Sequence, residues 1–288
     1  MASPVTRDAS APPFAVADIT GQAASENFPV ASRVLPRALR QHLLNIYGFA
    51  RLIDDIGDEA PGDRNNQLDW AVTELRLCAE QRSRHPLFLP LGRTIATFDM
   101  DLRPFLDLIE ANRMDQVVTR YETFEDLVGY CMKSAAPVGR LVLRVLGRDD
   151  DERVALSDRV CIGLQVVEHI QDVGEDFSMG RVYIPLADLT SAGCSPEGLT
   201  QLGNRQALCR AVQIEVQRAR ELLASGPSLA ATLPLRARVA VAAFGAGGES
   251  ALDAVEAASF DVISKRCKSS SRRFAYRWLQ ALAYRGHR

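Results

Sequence analysis

Apolar residues recur at intervals of three and four along most of the chain, the period of a helix with one buried face. Leu39, Leu43, Ile46, Ala50 and Ile53 keep this spacing. Pro36 precedes them at the first turn, where a missing N–H is harmless, and Pro61-Gly62 marks the stop. The same reading predicts helices over 66–84, from about Arg93 onward, and from Pro104 toward Met114. Residues 123–147 read as one buried helix, rich in small residues and kinked at Pro137, and 152–177 as one long helix. Residues 185–196 read as loop, and two helices follow over roughly 200–225 and 234–264 before a basic tail. Sustained strand alternation is scarce, and neither a solenoid repeat nor a linker divides the chain. The expectation is an all-α, single-domain bundle over residues 24–288, after a flexible Pro-, Ala- and Ser-rich segment over 1–23.

Composition refines this picture. The chain has 288 residues, 47% of them hydrophobic, enough for a sizeable core. A net charge of −2 gives no signature of a polyanion binder, so no nucleic-acid partner is expected. The charge is unevenly placed: from Val262 to Arg288 there is no acid, while Lys265, Arg266, Lys268, Arg272, Arg273, Arg277, Arg285 and Arg288 are basic. Phe274, Trp278, Leu279 and Leu282 are interleaved with them. That mixture suits an interfacial helix on an anionic membrane, or equally a terminal helix docked on the bundle with a solvated basic face. The six cysteines form no CxxC pair and read as reduced thiols in a cytosolic protein. The N-terminal stretch lacks the long apolar core of a signal peptide, and no run of about 18 apolar residues suggests a membrane span. The expected location is cytoplasmic, with peripheral contact at the inner face of the membrane as the open variant. GAGGES at 245–250 follows no strand and reads as a break in a helix rather than a phosphate loop.

Two acidic clusters carry the candidate chemistry. In ARLIDDIGDE (50–59), Tyr47, Arg51, Asp54 and Asp58 are spaced four, three and four, so they share one helical face. Adjacent like charges repel, and the helix dipole disfavours anions near a C-terminus. Helix stability therefore does not explain the placement. In LQVVEHIQDVGED (164–176), Gln165, Glu168, Asp172 and Asp176 form a second such stripe, opposite Ile162, Val166, Ile170, Val173 and Phe177. One such cluster alone is an ordinary solvated face. Two Asp-x-x-x-Asp pairs in strongly apolar helices, each with Arg and Tyr nearby, fit carboxylates lining one cavity. Hard oxygen donors in pairs suit Mg²⁺, which binds through a few carboxylates plus substrate phosphate oxygens.

The chain resembles the squalene/phytoene synthase family over about residues 25–285. DDIGD (54–58) is similar to that family's first aspartate-rich motif, and DVGEDFSMGRVYIP (172–185) to its second, with the trailing Arg and Tyr. ENFPVAS (26–32), YCMKSAAPVGRL (130–141) and Gln171 resemble the hydroxysqualene synthase branch more closely. The resemblance implies an isoprenoid synthase bundle with a central cavity, a prenyl diphosphate substrate and Mg²⁺. The branch implies conversion of presqualene diphosphate to hydroxysqualene without NADPH. Head-to-head condensation of prenyl diphosphates, and a non-catalytic binding or assembly role, are the alternatives.

The resemblance also suggests roles. Asp54, Asp58, Asp172 and Asp176 would bind Mg²⁺. Glu168, where the family commonly has Asn, is open between a further ligand and a mark of altered activity. Arg51 and Arg181 would meet diphosphate oxygens or pair with the acids, and Asp55 would act from behind. Tyr47, Tyr130 and Tyr183 would donate hydrogen bonds or stabilise carbocations through their ring faces, or simply pack. Phe28 would line the prenyl cavity. Gln165 belongs to the acidic stripe, and Lys133 is a further diphosphate contact. Ser134, Ala135, Ala136 and Gly139 would leave room for the chain or allow close helix packing. His169 abuts the motif but is turned off its stripe, so it is not assigned as a base. The sequence leaves the oligomeric state open.

Overall fold

The computed structural model describes residues 34–265 and 267–284. Among them are thirteen α-helices, two short 3₁₀ turns and no strand, only an isolated parallel bridge between Arg120 and Val182. The helices are α1 (Arg37–Asp58), α2 (Arg64–Ala79), α3 (Phe88–Phe98), α4 (Arg103–Met114), α5 (Phe124–Ser134), α6 (Ala136–Leu146) and α7 (Asp151–Gln171). Then come α8 (Val173–Ser178), α9 (Leu186–Ser191), α10 (Arg205–Leu223), α11 (Gly226–Ala231), α12 (Leu235–Ala257) and α13 (Ser271–Ala283). Residues 1–33, and with them the expected flexible segment and Phe28, lie outside the described residues.

Two helices organise the bundle. α1 buries Leu43, Ile46, Phe49, Leu52, Ile53 and Ile56 against α2, α3, α4 and α6. Phe49 meets Phe88 and Phe105 edge-on at 5.9 and 5.2 Å, which favours the ring quadrupoles. α7 buries Ile162, Val166, Val167 and Ile170 among α5, α6, α10, α11 and α12. α6 touches both α1 and α7, so it sets how their acidic ends face.

Several boundaries differ from the sequence reading, each for a local reason. The predicted helix over 123–147 is two helices. A capping box between Thr123 and Asp126 starts α5, and Ala135 ends it; Pro137 then sits in the first turn of α6, where proline is tolerated. The helix predicted over 152–177 breaks at Asp172, whose φ of −101° and ψ of 12° lie outside helical geometry. The segment expected as loop after Pro185 holds α9. GAGGES is no break, since α12 runs through it. A Cβ on Gly248 would stand 2.7 Å from Leu164 Cδ2, so that glycine lets α12 approach α7.

The tail helix is docked. Arg277 pairs with Asp253 (Nε to Oδ2, 2.8 Å), Trp278 Nε1 donates to the Val239 carbonyl at 3.0 Å, and Arg238 donates to the carbonyls of Leu282 and Tyr284. Tyr276 and Leu279 remain exposed on its outer side. No helix among the described residues is long and apolar enough to cross a membrane.

Candidate active site

The C-terminal ends of α1 and α7, with α8 and the segment after it, enclose a cavity of about 430 Å³. Seven carboxylates border it (Asp54, Asp58, Asp115, Glu168, Asp172, Glu175 and Asp176), against two arginines, Arg51 and Arg181. The two acidic clusters, 118 positions apart (54 to 172), thus share one space.

Local structure fixes the walls. Val182 N donates to the Thr119 carbonyl at 2.8 Å and Leu186 N to the Tyr121 carbonyl at 2.9 Å, which straps the 181–186 segment to the chain after α4. This places Arg181 Nη1 2.7 Å from Asp58 Oδ1 and Tyr183 OH 3.0 Å from Asp115 Oδ1. Asp115 also accepts from Tyr130 OH at 2.7 Å. Asn112 Nδ2 donates to Asp54 Oδ1 at 3.2 Å, and a Cβ on Gly57 would clash with Asn112 Oδ1. Arg51 Nε lies 2.8 Å from Asp55 Oδ1, one turn along α1. His169, buried, stacks on Tyr183 with centroids 3.8 Å apart and 12° between planes. Its Nδ1 is 4.0 Å from Asp176 Oδ2, and its Nε2 has no hydrogen-bond partner among the described residues.

The electrostatics are those of a site short of positive charge. Asp54 is exposed at the cavity, yet the protein around it removes enough solvent to raise its carboxyl to about 7. The Asn112 hydrogen bond opposes the shift and Asp58 adds to it. Burial, then the charge of Asp172, raises Asp176 to about 7. Burial also raises Asp172 and Asp115. Burial, helped by Arg181, lowers His169 to about 3, so its ring is neutral. An all-oxygen, anionic donor set of this kind fits a hard divalent cation. No three His, Cys, Asp or Glu side chains among the described residues converge on one point, so phosphate or water oxygens would have to complete any ion's shell.

Of the predicted site residues, Arg51, Asp54, Asp58, Tyr130, Gln165, Glu168, Asp172, Asp176, Arg181 and Tyr183 border this cavity. Three do not. Tyr47 is half-buried on α1 and is not part of the cavity lining. Lys133 Nζ lies 4.0 Å from Glu110. Gly139 sits where α6 crosses α7, and a Cβ there would meet Ser157 Oγ at 2.4 Å and Cys161 Sγ at 2.6 Å. Its small size serves helix packing. The sequence reading missed Asn112, Asp115 and Glu175, and turned His169 away from the site. Asp115 carried a usable signal: it is an acid at the C-cap of α4, the same unfavourable end of a helix that marked Asp54 and Asp58.

The sequence pattern of the squalene/phytoene synthase family matches residues 22–273. The chain belongs to that family. A hydroxysqualene synthase of Rhodopseudomonas palustris is 37% identical over 210 residues, covering 72% of this chain and 71% of its own. A 15-cis-phytoene synthase of Synechocystis sp. is 29% identical over 262 residues, 86% of this chain and 77% of its own. Among solved structures, squalene synthase HpnC from Alicyclobacillus acidocaldarius has 39% identity and a TM-score of 0.78, covering 85% of this chain and 96% of that one. A dehydrosqualene synthase in complex with ligand superposes with a TM-score of 0.82 at 23% identity, over 93% and 95% of the two chains. This family member therefore has the helical-bundle fold of isoprenoid synthases, as its sequence led us to expect.

Proposed function

We propose that the protein converts presqualene diphosphate to hydroxysqualene in a Mg²⁺-dependent reaction. The observation that carries this reading is the meeting of two acidic clusters, with Arg51 and Arg181, on the walls of one cavity. Relatives named hydroxysqualene synthase, at 37% identity, support the choice of substrate.

Asp54, Asp58, Asp172 and Asp176 would hold the metal, with Glu168 and Glu175 in reach of the same space. Bound Mg²⁺ would supply positive charge to the departing diphosphate. Arg51 and Arg181 present planar donors suited to phosphate oxygens. The C–O bond breaks with its electron pair going to diphosphate. The cyclopropylcarbinyl cation rearranges, water adds to it, and a proton is lost. Asp115 holds the hydroxyls of Tyr130 and Tyr183, which fixes their rings at the cavity wall, where π faces can stabilise a cation. The outer side of α13, with Arg272, Arg273, Tyr276 and Leu279, would meet an anionic bilayer that receives the product.

The test is incubation with presqualene diphosphate and Mg²⁺, with and without NADPH, and identification of products by mass spectrometry. Hydroxysqualene formed without NADPH supports the reading; folded, metal-loaded protein that forms none overturns it. Similarity to phytoene synthases favours a second reading, head-to-head condensation. Product from farnesyl or geranylgeranyl diphosphate alone would select it. Binding of Mg²⁺ and diphosphate with no product from any of these would point to a non-catalytic role.

A further inference from the structure

We infer that His169 positions the water molecule that captures the cation. This rests on the hydroxysqualene reading above and adds a residue to which that reading gives no role.

Six uncharged polar side chains line the cavity (Asn112, Tyr130, Ser134, Gln165, His169 and Tyr183), and three of them are already engaged. Tyr130 and Tyr183 both give their hydroxyl protons to Asp115. Asn112 donates to Asp54 and to the Leu108 carbonyl. Among the uncharged cavity-lining residues, two carry a buried polar atom with no hydrogen-bond partner among the described residues: Ser134, through Oγ, and His169, through Nε2 (Arg51 Nε, the third such atom at the cavity, faces Asp55). Such atoms are rare in folded proteins and are commonly satisfied by water or ligand. A helical serine can turn its hydroxyl to the carbonyl one turn back. The imidazole has no such local option.

The ring is also held in place. It lies flat on Tyr183 at 3.8 Å, and Tyr183 is fixed in turn through Asp115. Nδ1 faces Asp176 Oδ2 at 4.0 Å. In a neutral imidazole one nitrogen donates and the other accepts. A proton on Nδ1, toward the carboxylate, leaves the Nε2 lone pair as an acceptor of fixed direction. A water donating one O–H to Nε2 turns an oxygen lone pair outward. That oxygen forms the new C–O bond, and the resulting oxonium passes its proton to an oxygen of the released diphosphate. His169 stays neutral throughout and acts as a positioning residue.

The experiment compares wild type with His169→Phe, His169→Gln and Ser134→Ala, all with presqualene diphosphate and Mg²⁺. It measures alcohol formed per diphosphate released, so a change in overall rate does not enter the readout. Phe keeps the ring stack and loses the acceptor; Gln keeps an acceptor near the Nε2 position. Loss of one hydrogen bond to the reacting water is worth about tenfold. The alcohol fraction should fall about tenfold in His169→Phe, with elimination hydrocarbons rising, and should recover in part in His169→Gln. Ser134→Ala should match wild type. An unchanged fraction in His169→Phe, a fraction in His169→Gln as low as in His169→Phe, or a fall confined to Ser134→Ala overturns the inference alone. If wild type forms no alcohol, the proposed reaction falls and this inference with it.

Discussion

Arg181 Nη1 donates to Asp58 Oδ1 at 2.7 Å and so ties the last turn of α1 to the segment after the second acidic cluster. The pair is unequal: the arginine side chain is 13% exposed and the aspartate 47%. The fold holds the guanidinium, while the carboxylate is the freer end. In the proposed reaction Asp58 would turn to the metal while Arg181 stays to meet a phosphate oxygen.

Arg181→Met should lower kcat/KM for presqualene diphosphate by about 10- to 100-fold, the scale of one hydrogen bond to a charged group, ~1.5–3 kcal/mol. Diphosphate-release kinetics, with the Tm as a check on folding, measure it. An unchanged kcat/KM would confine Arg181 to its pairing with Asp58.

Asp176→Asn should separate stability from function. Asp176 is crowded by Asp172 and Glu175. Removing its charge should raise the Tm of the metal-free protein and abolish the further rise that Mg²⁺ with inorganic diphosphate gives to wild type. Thermal shift with and without those ligands decides it. A full Mg²⁺ response in the variant would remove Asp176 from the metal-binding set.

Glu215 should make stability depend on pH. It is 1% exposed, and burial raises its carboxyl to about 8. Arg218 opposes this at 2.8 Å, yet that guanidinium gives two hydrogen bonds to Asp188, and Glu215 Oε2 has no partner among the described residues. The folded pKa lies above the unfolded value of about 4.3. The folded state therefore holds the proton more tightly, and the resulting stability is full below that value and is lost as pH rises through 8. Glu215→Gln should flatten this decline, so that its Tm gains on wild type from pH 5 to pH 8. Parallel Tm curves would show that Glu215 is not protonated in the fold.

Gly57→Ala should be destabilising although alanine is the better helix former by about 1 kcal/mol. The new Cβ would force Asn112 from its buried place between Asp54 and the Leu108 carbonyl. Overpacking of this kind is worth about 1–3 kcal/mol. Asn112→Ala in the same chain should recover part of the loss, and a double-mutant cycle in denaturant reads it. Additive effects would show that the two positions do not couple.

Tyr276→Ser with Leu279→Ser should weaken binding to phosphatidylglycerol vesicles and leave the Tm unchanged, because both side chains face outward from α13. Flotation against phosphatidylcholine vesicles is the control. Equal binding by variant and wild type would leave the tail as a docked helix with a solvated basic face.

The acidic stripes were legible because each is a local pattern: residues four apart share a helical face wherever the helix lies. Asp54, Asp58, Asp172 and Asp176 needed no tertiary knowledge to be singled out. His169 escaped for the same reason. One residue past Glu168 it turns by about 100°, and on an ideal continuous helix it leaves the stripe. It keeps that place in α7, and the cavity wall reaches round to it through Tyr183, which the strap brings against its ring. Lys133 and Gly139, singled out within YCMKSAAPVGRL, meet other neighbours instead, Glu110 and the Ser157–Cys161 side of α7.

The amino-acid sequence by itself determined the helical class, the apolar faces of α1 and α7, and two clusters of charge that helix energetics does not explain. Those are properties of spacing, and spacing is fixed by covalent order. Only the tertiary structure decided that the clusters share a cavity, that Asn112 and Asp115 join them, and that the basic tail docks through Arg277 and Trp278. These depend on how α6 sets α1 against α7 and on hydrogen bonds spanning tens to more than a hundred residues, which no local period encodes.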